Sequence, residues 1–213
     1  MTLDFAELIG ILLGDGSIGI YVCKSAGKTN TQYRVKVTLD SEKDAEYVSY
    51  VRDLMARVLG CLPLVRKRKG EQAVDLCVYG QPSVSALLAA GLVLSPKWER
   101  ARIPEKFTQP EFRKRVLRGY IDTDGCVAIV NNHGKPYPRV EFKISPSPMQ
   151  SQLIQCLEKE GLTPQVSRLE KGKVRVTLAG RPKLAKWWKL IGSSNPKNIR
   201  AAKPFLESSG DWI

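Results

Sequence analysis

Residues 8–18 read LIGILLGDGSI and residues 117–127 read LRGYIDTDGCV. Each is a largely apolar run punctuated by small residues and closed by Gly or Thr, then Asp, then Gly. Asp15 of the first run matches Asp124 of the second, 109 residues further on. The likeness continues in the same order along the chain. Arg34-Val35-Lys36-Val37 resembles Arg139-Val140-Glu141-Phe142, and Gly80-Gln81-Pro82 matches Gly180-Arg181-Pro182. Ser95-Pro96-Lys97 matches Asn195-Pro196-Lys197, and Pro104 matches Pro204. The offset shrinks from 109 to 100, as two copies with loops of unequal length require. Matches in one consistent order imply a tandem duplication, with halves at 1–106 and 107–213.

Each half reads alike. An apolar helix is predicted over 4–13 and again over 111–122, because Phe5, Leu8, Ile9 and Leu12, then Phe112, Val116, Leu117 and Tyr120, recur at helical spacing. A hairpin follows, pairing 17–24 with 31–39 and 126–130 with 137–144. The alternation in Arg34-Val35-Lys36-Val37-Thr38-Leu39 puts three apolar side chains on one face and three polar ones on the other. Helices are expected at 41–59, opening on Ser41-Glu42-Lys43-Asp44, and at 147–160. Gly60 and Gly161 stop them. Second hairpins span 64–79 and 165–178, turning at Lys69-Gly70 and Lys171-Gly172, and short helices at 82–90 and 182–191 close the halves. The order αββαββα, twice, predicts an α+β fold: a pseudo-two-fold repeat with two antiparallel four-stranded sheets flanking a central helix pair.

Lys and Arg total 34 against 21 Asp and Glu, a net charge of +13. A surplus of this size points to a polyanionic partner, bound through phosphate contacts. No run of about 18 apolar residues is present, so no membrane-spanning helix is expected, and the N-terminus lacks the basic start of a signal peptide. The five cysteines form no C-x-x-C pair, which argues against a zinc site or disulfide framework. An intracellular, reducing setting is the expectation, whether a prokaryotic cytoplasm or an organelle. The one histidine, His133, falls in a polar loop, so chemistry built on paired histidines is disfavoured.

Small residues recur in the leading helices: Gly10 and Gly14 in one, Gly119 and Thr123 in the other. Small side chains let two helices approach at their backbones. Packed side by side, these helices would bring Asp15 and Asp124 together, and two adjacent carboxylates repel unless a cation lies between them. Carboxylate and carbonyl oxygens suit Mg²⁺, which keeps several waters. Asp122 stands at the other acidic position of the second run and reads as a structural residue of the helix end, since Leu13 fills that position in the first.

LIGILLGDG (8–16) and LRGYIDTDG (117–125) resemble the two copies of the motif that names the LAGLIDADG homing endonucleases, and the repeat and chain length are similar to the single-chain, monomeric members. The resemblance implies a site-specific DNA endonuclease making a metal-dependent double-strand break in a long pseudo-palindromic target, with short 3′ overhangs. It implies Mg²⁺ as cofactor, with Mn²⁺ or Ca²⁺ able to replace it for binding. Asp15 and Asp124 would be the metal ligands, with the carbonyls of Gly14 and Thr123. It also implies a basic or polar pocket around the metal, for which Lys143, Arg181, Gln81 and Lys36 are the candidates. Double-stranded DNA is the implied partner and host intron RNA a possible further one. An intron maturase or a non-cleaving DNA-binding protein on the same scaffold are the alternatives, and the two intact acidic residues argue against both.

For reading a duplex, the polar faces of the two sheets supply the candidates. The first offers Tyr21, Ser25, Lys28, Arg34, Lys36, Arg66, Arg68 and Asp75, and the second Asn132, Arg139, Glu141, Lys143, Ser167, Arg175 and Thr177. The stretch 25–30 is expected to be a mobile tip that orders on DNA. Trp187 and Trp188 read as core or sheet-covering residues. Lys97, Lys197 and Arg200 are expected to grip phosphates flanking the centre.

Overall fold

The computed structural model describes residues 2–25 and 27–207. Helix α1 (Leu3–Leu13) opens on Thr2, whose side-chain oxygen accepts from Phe5 N, and ends at Gly14. Strands β1 (Gly16–Ser25) and β2 (Lys28–Asp40) follow, then α2 (Ala45–Leu59), β3 (Leu64–Lys67), β4 (Ala73–Tyr79) and α3 (Gln81–Ala89). After a 3-10 turn at Glu105–Thr108 the series repeats: α4 (Pro110–Asp124), β5 (Gly125–Asn132), β6 (Lys135–Ile144), α5 (Met149–Lys159), β7 (Gln165–Arg168), β8 (Val174–Ala179) and α6 (Arg181–Leu190). The two sheets have equivalent antiparallel orders, β1-β2-β4-β3 and β5-β6-β8-β7. Their registers match as well: Gly16 faces Val37 in one and Gly125 faces Phe142 in the other.

Both sheets bury one face. Val35, Val37, Leu39, Val74, Leu76 and Val78 of the first, and Val140, Phe142, Ile144, Val176 and Leu178 of the second, join one core with α1 and α4. The centre of that core is the α1–α4 crossing. A Cβ on Gly10 would sit 2.2 Å from Val116 O, and one on Gly119 would sit 2.2 Å from Glu7 O. Only glycine permits backbones this close, and the reciprocity of the two contacts expresses the pseudo-two-fold axis. Residues 6–13 of α1 are buried on every side, the mark of a helix enclosed rather than lying on a surface. A buried carboxylate spans the crossing: Glu7 accepts from Tyr50 Oη at 2.7 Å, Ser194 Oγ at 2.7 Å and Arg115 Nη1 at 3.0 Å.

The structure departs from the sequence expectations in three places. Residues 41–44 form a turn before α2 rather than its first turn, because Asp40 Oδ1 accepts from the amides of Glu42 and Lys43. The β1–β2 ladder runs further into the expected 25–30 tip than the 17–24 and 31–39 bounds, with Cys23 facing Asn30 and Ser25 facing Lys28. Ala26 and the Ser25 side chain lie outside the described residues. The second half carries an extra helix, α7 (Pro196–Leu206), where the first half has no α-helix after α3. Trp187 is buried and donates to Gly192 O at 3.0 Å, and Trp188 packs against the core.

Candidate active site between the paired helices

The close crossing delivers the C-terminal ends of α1 and α4 to one place. Asp124 is the last residue of α4, and Asp15 follows the C-cap of α1. A Cβ on Gly14 would lie 3.4 Å from Asp124 Oδ2 and would overlap Thr123 Oγ1. Thr123 itself turns back on its helix, donating toward Gly119 O and Tyr120 O. Asp15 is fixed from its other side by the β-sheet, because its carbonyl accepts from Thr38 N at 3.1 Å.

The electrostatics follow from this proximity. Burial, then the charge of Asp124, raise the Asp15 carboxyl from its ordinary 3.8 to about 7, while Lys97 opposes the shift. Burial also raises Asp124, with Lys97 and a hydrogen bond with Tyr120 working the other way. Lys97 is the cation of the site. Its ammonium donates to Leu12 O at 2.8 Å, to Gly16 O at 3.0 Å and, more closely still, to Gly14 O. These are carbonyls at and beyond the end of α1, where the helix dipole favours positive charge. Desolvation lowers Lys97 to about 8 despite the two carboxylates. Tyr120, buried beneath, shares its hydroxyl between Asp124 and Lys143 O, 3.2 Å away.

These groups line an open cavity of about 590 Å³, whose wall also carries Trp98, Glu141, Lys143, Lys173 and Arg175. Of the sequence-predicted pocket residues, Lys143 is here, with Asp15, Asp124, Gly14 and Thr123. Arg181, Gln81 and Lys36 are not among the lining residues. Arg181 begins α6, stacks over the Phe205 ring at 5.4 Å and borders a separate groove with Tyr137 and Lys135. Gln81 begins α3 and is exposed. Lys36 sits on the first sheet, 3.7 Å from Asp75 Oδ1. Arg181 and Gln81 stand at the helix ends of the β-strands, and the acidic pair stands at the opposite, β-hairpin-entry end, next to Gly16 and Gly125.

Lys97 corrects the sequence reading most. It was expected on flanking phosphates and instead reaches into the acidic pocket. Its counterpart Lys197 is bound at 2.7 Å to Asp44, and Arg200 to Glu46, so neither stands free on the surface. The matched Pro-Lys pairs carried the signal, but the fold of residues 95–101 back onto α1 decides where Lys97 ends. Asp122 is structural, as expected: it is 1% exposed and accepts from Ser194 N at 2.6 Å, Asn198 Nδ2 at 3.0 Å and the Ser193 hydroxyl.

The candidate readers divide by sheet. Tyr21, Arg34, Lys36 and Asp75 share one face of the first sheet with Arg66, and Arg68 folds onto that face. Lys28 pairs with Ser25 at the tip. Arg34 lies 4.7 Å from the Tyr21 ring and donates to its hydroxyl at 2.8 Å. Arg66 sits over Tyr79. Asn132, Arg139, Glu141, Lys143, Ser167, Arg175 and Thr177 share the corresponding face of the second sheet.

Comparison of the whole fold with solved structures places this arrangement. The chain superposes on the LAGLIDADG homing endonuclease I-LtrWI bound to target DNA with a TM-score of 0.64 at 13% identity, covering 98% of this chain and 91% of that one. The chain has the LAGLIDADG homing endonuclease fold. The meganuclease I-SmaMI bound to uncleaveable DNA gives a TM-score of 0.67 at 10% identity over 97% and 90% of the two chains. I-DmoI in complex with DNA and Mn gives 0.62 at 18% identity over 91% and 98%. No family model matches the sequence, and no curated protein matches it. The LAGLIDADG fold is thus carried by a sequence no more than 18% identical to these three structures.

The donor set fits a hard divalent ion. Two carboxylates and the Gly14 carbonyl converge with one ammonium, Asp15 half-buried and Asp124 open to the cavity, an arrangement that favours a further cation. Among the described residues no cluster of three or more His, Cys, Asp or Glu side chains forms a closed cage. An ion here would complete its shell with water and substrate oxygens, the habit of Mg²⁺.

Proposed function

We propose that this chain is a site-specific, Mg²⁺-dependent DNA endonuclease that binds a long pseudo-palindromic duplex as a monomer and breaks both strands. The observation that carries the reading is the meeting of Asp15 and Asp124 at the ends of two helices in backbone contact. Two polar sheet faces rich in Arg and Lys extend from that point. The neighbours bound to target DNA, and the one holding DNA and Mn, support it.

When bound, a divalent ion supplies the charge that makes water nucleophilic near neutral pH and stabilises a departing oxygen. Asp15 and Asp124 would hold it, with Gly14 O and the carbonyl of Thr123. Tyr120 fixes the Asp124 carboxylate through its hydroxyl. Lys97 keeps its proton at neutral pH yet lies close enough to it, at about 8, to donate to a leaving 3′ oxygen. Lys143, Lys173 and Arg175 provide positive charge along the cavity wall, where the phosphates of one strand would lie.

The test is selection of cleaved sequences from a randomised duplex library in Mg²⁺. One long site cut in both strands is expected. On that site Asp15→Asn and Asp124→Asn should bind in Ca²⁺ and lose at least about a hundredfold in cleavage rate, the scale of removing one preorganised electrostatic group. Variants that cut as fast as the parent would sink the reading.

A further inference from the structure

Trp98 is 76% exposed, the most exposed large apolar side chain among the described residues, and it lines the central cavity with Asp15, Asp124 and Lys97. Its backbone is tied down on both sides. Arg100 N and Ala101 N donate back to Lys97 O at 3.2 and 2.8 Å, Glu99 N donates to Pro146 O at 3.1 Å, and Met149 N donates to Ala101 O at 3.1 Å. The Arg100 guanidinium closes the turn on Leu94 O and Pro96 O. Ala101 and Ile103 then enter the core. Glu99 has a φ of 61°, a left-handed conformation that is costly for a residue with a Cβ. The turn is therefore well held, yet the side chain it presents stays out of the core.

The duplication sharpens the contrast. Ser95-Pro96-Lys97 matches Asn195-Pro196-Lys197, so the counterpart of Trp98 is Asn198. Asn198 is 1% exposed; its Oδ1 accepts from Val127 N and its Nδ2 donates to Asp122 Oδ1, each at 3.0 Å. One copy uses this position for internal hydrogen bonds, and the other turns an indole toward the cavity. A side chain of this kind buries roughly 150–250 Å² when covered, and removing that surface from water is favourable. The wall around it carries Lys97, Lys143, Lys173 and Arg175. Aromatic faces set among cations suit a ligand that offers both bases and phosphates.

Strands β1 and β5 start at Gly16 and Gly125, directly after Asp15 and Asp124, so the acids stand between the two sheets. Polar faces that read two stretches of major groove from one side lie about one helical turn apart, and midway between them the minor groove faces the protein. Hydrogen bonding in the minor groove separates little more than A·T from G·C. An apolar wedge there acts differently, by unstacking and kinking a base step. Resting on the nuclease reading, we propose that Trp98 is a specificity-determining residue whose indole enters the minor groove near the centre of the target and wedges one base step open. Pyrimidine–purine steps, TA and CA/TG, yield most easily and are the steps it selects. Because Asn198 is internal, the wedge acts on one side of the pseudo-two-fold axis only, and the selected step lies off the centre of the site.

The experiment selects duplexes by binding in Ca²⁺ from a randomised library and probes the complex with permanganate, which oxidises unstacked thymines. The parent should prefer a pyrimidine–purine step on one side of the centre, and the thymine of that step should become severalfold more reactive than in free duplex. Trp98→Ala should lose both the preference and the reactivity and bind at least about fivefold more weakly, the lower end for one base stacked on an aromatic ring. Base preferences under the two sheets should persist. Trp98→Phe should restore part of the reactivity, which a change in the turn alone would not do, and circular dichroism verifies that both variants fold. An unreactive centre in the parent complex, or reactivity and preference that survive Trp98→Ala, would overturn the proposal and leave the nuclease reading intact. Selective binding with a Trp98-dependent reactive thymine but no cleavage in Mg²⁺ would defeat that reading alone. Binding that favours no duplex would defeat both.

Discussion

At the scale of single residues, the site is an unfinished charge balance. Asp15 takes its raised value from burial first and from Asp124 second. Its folded value of about 7 exceeds the ordinary 3.8, so between those values the native state binds the proton more tightly than the unfolded chain. The stabilisation from this group is complete below about 3.8 and is lost as pH rises through about 7. The metal-free protein therefore carries a cost at pH 8 that Asp15→Asn removes. The variant should melt roughly 3–8 °C above the parent at pH 8 without metal, at about 2–4 °C per kcal/mol for a chain of this size. The gap should narrow below pH 7 and close toward about 3.8. Mg²⁺ should raise the parent's Tm more at pH 8 than at pH 6 and leave the variant's unchanged. Melting curves in EDTA and in Mg²⁺ decide it: a variant less stable than the parent at pH 8 would mean that the carboxylate is not an isolated charge. Lys97 explains why one lysine does not finish the balance, since desolvation has already lowered its own value to about 8.

At the scale of elements, α1 and α4 act as one unit. Gly119→Ala would place a methyl 2.2 Å from Glu7 O and 2.9 Å from Ile11 N, both rigid helix backbone. The helices would have to part, and the Asp15–Asp124 geometry would change with them. Overpacking costs typically 1–3 kcal/mol, so a Tm lower by roughly 3–10 °C is expected, with cleavage reduced even at temperatures where the variant is fully folded. Circular dichroism melting checks the first part, and an unchanged Tm would contradict the backbone contact. These two helices were legible in the sequence because apolar spacing, small residues and an Asp-Gly stop coincide twice. The strands were legible because Val35, Val37 and Leu39 alternate with Arg34, Lys36 and Thr38. Helix α7 was not, since it contains Pro196 and Pro204, and proline ordinarily interrupts a helix. Pro196 in fact occupies the first helical turn, where no amide hydrogen is required, with Asn195 as a capping residue. Lys97 was visible as half of a matched pair but not as a pocket residue. Its position depends on the 95–101 segment folding against both halves, with Ser95 N on Ile18 O and Glu99 N on Pro146 O. Arg181 and Gln81 were placed in the pocket by their nearness to strand ends, and register alone does not say which end of a strand faces the acids.

At the scale of the whole molecule, duplication makes a symmetric interface internal. The α1–α4 contact that two separate subunits would need is already present in one chain, with Glu7 of one half held by Arg115 and Ser194 of the other. One chain should therefore saturate one duplex, and light scattering of the complex should give a 1:1 mass. The net charge of +13 sets how that complex responds to salt. Several basic side chains are already paired within the protein, among them Arg68 with Asp75, Arg113 with Glu160 and Lys197 with Asp44, so the number of phosphates neutralised should fall well below the number of basic residues. If about six to eight are contacted, log K should fall with log salt at a slope near −5 to −7, and affinity should drop about a thousandfold or more between 50 and 200 mM. Titrations of the selected duplex in Ca²⁺ across that range measure the slope. A value near −1 would mean that the sheet faces do not follow the backbone. A steep slope that is the same for the selected site and for random duplex would mean that the charges hold DNA without the polar faces reading it.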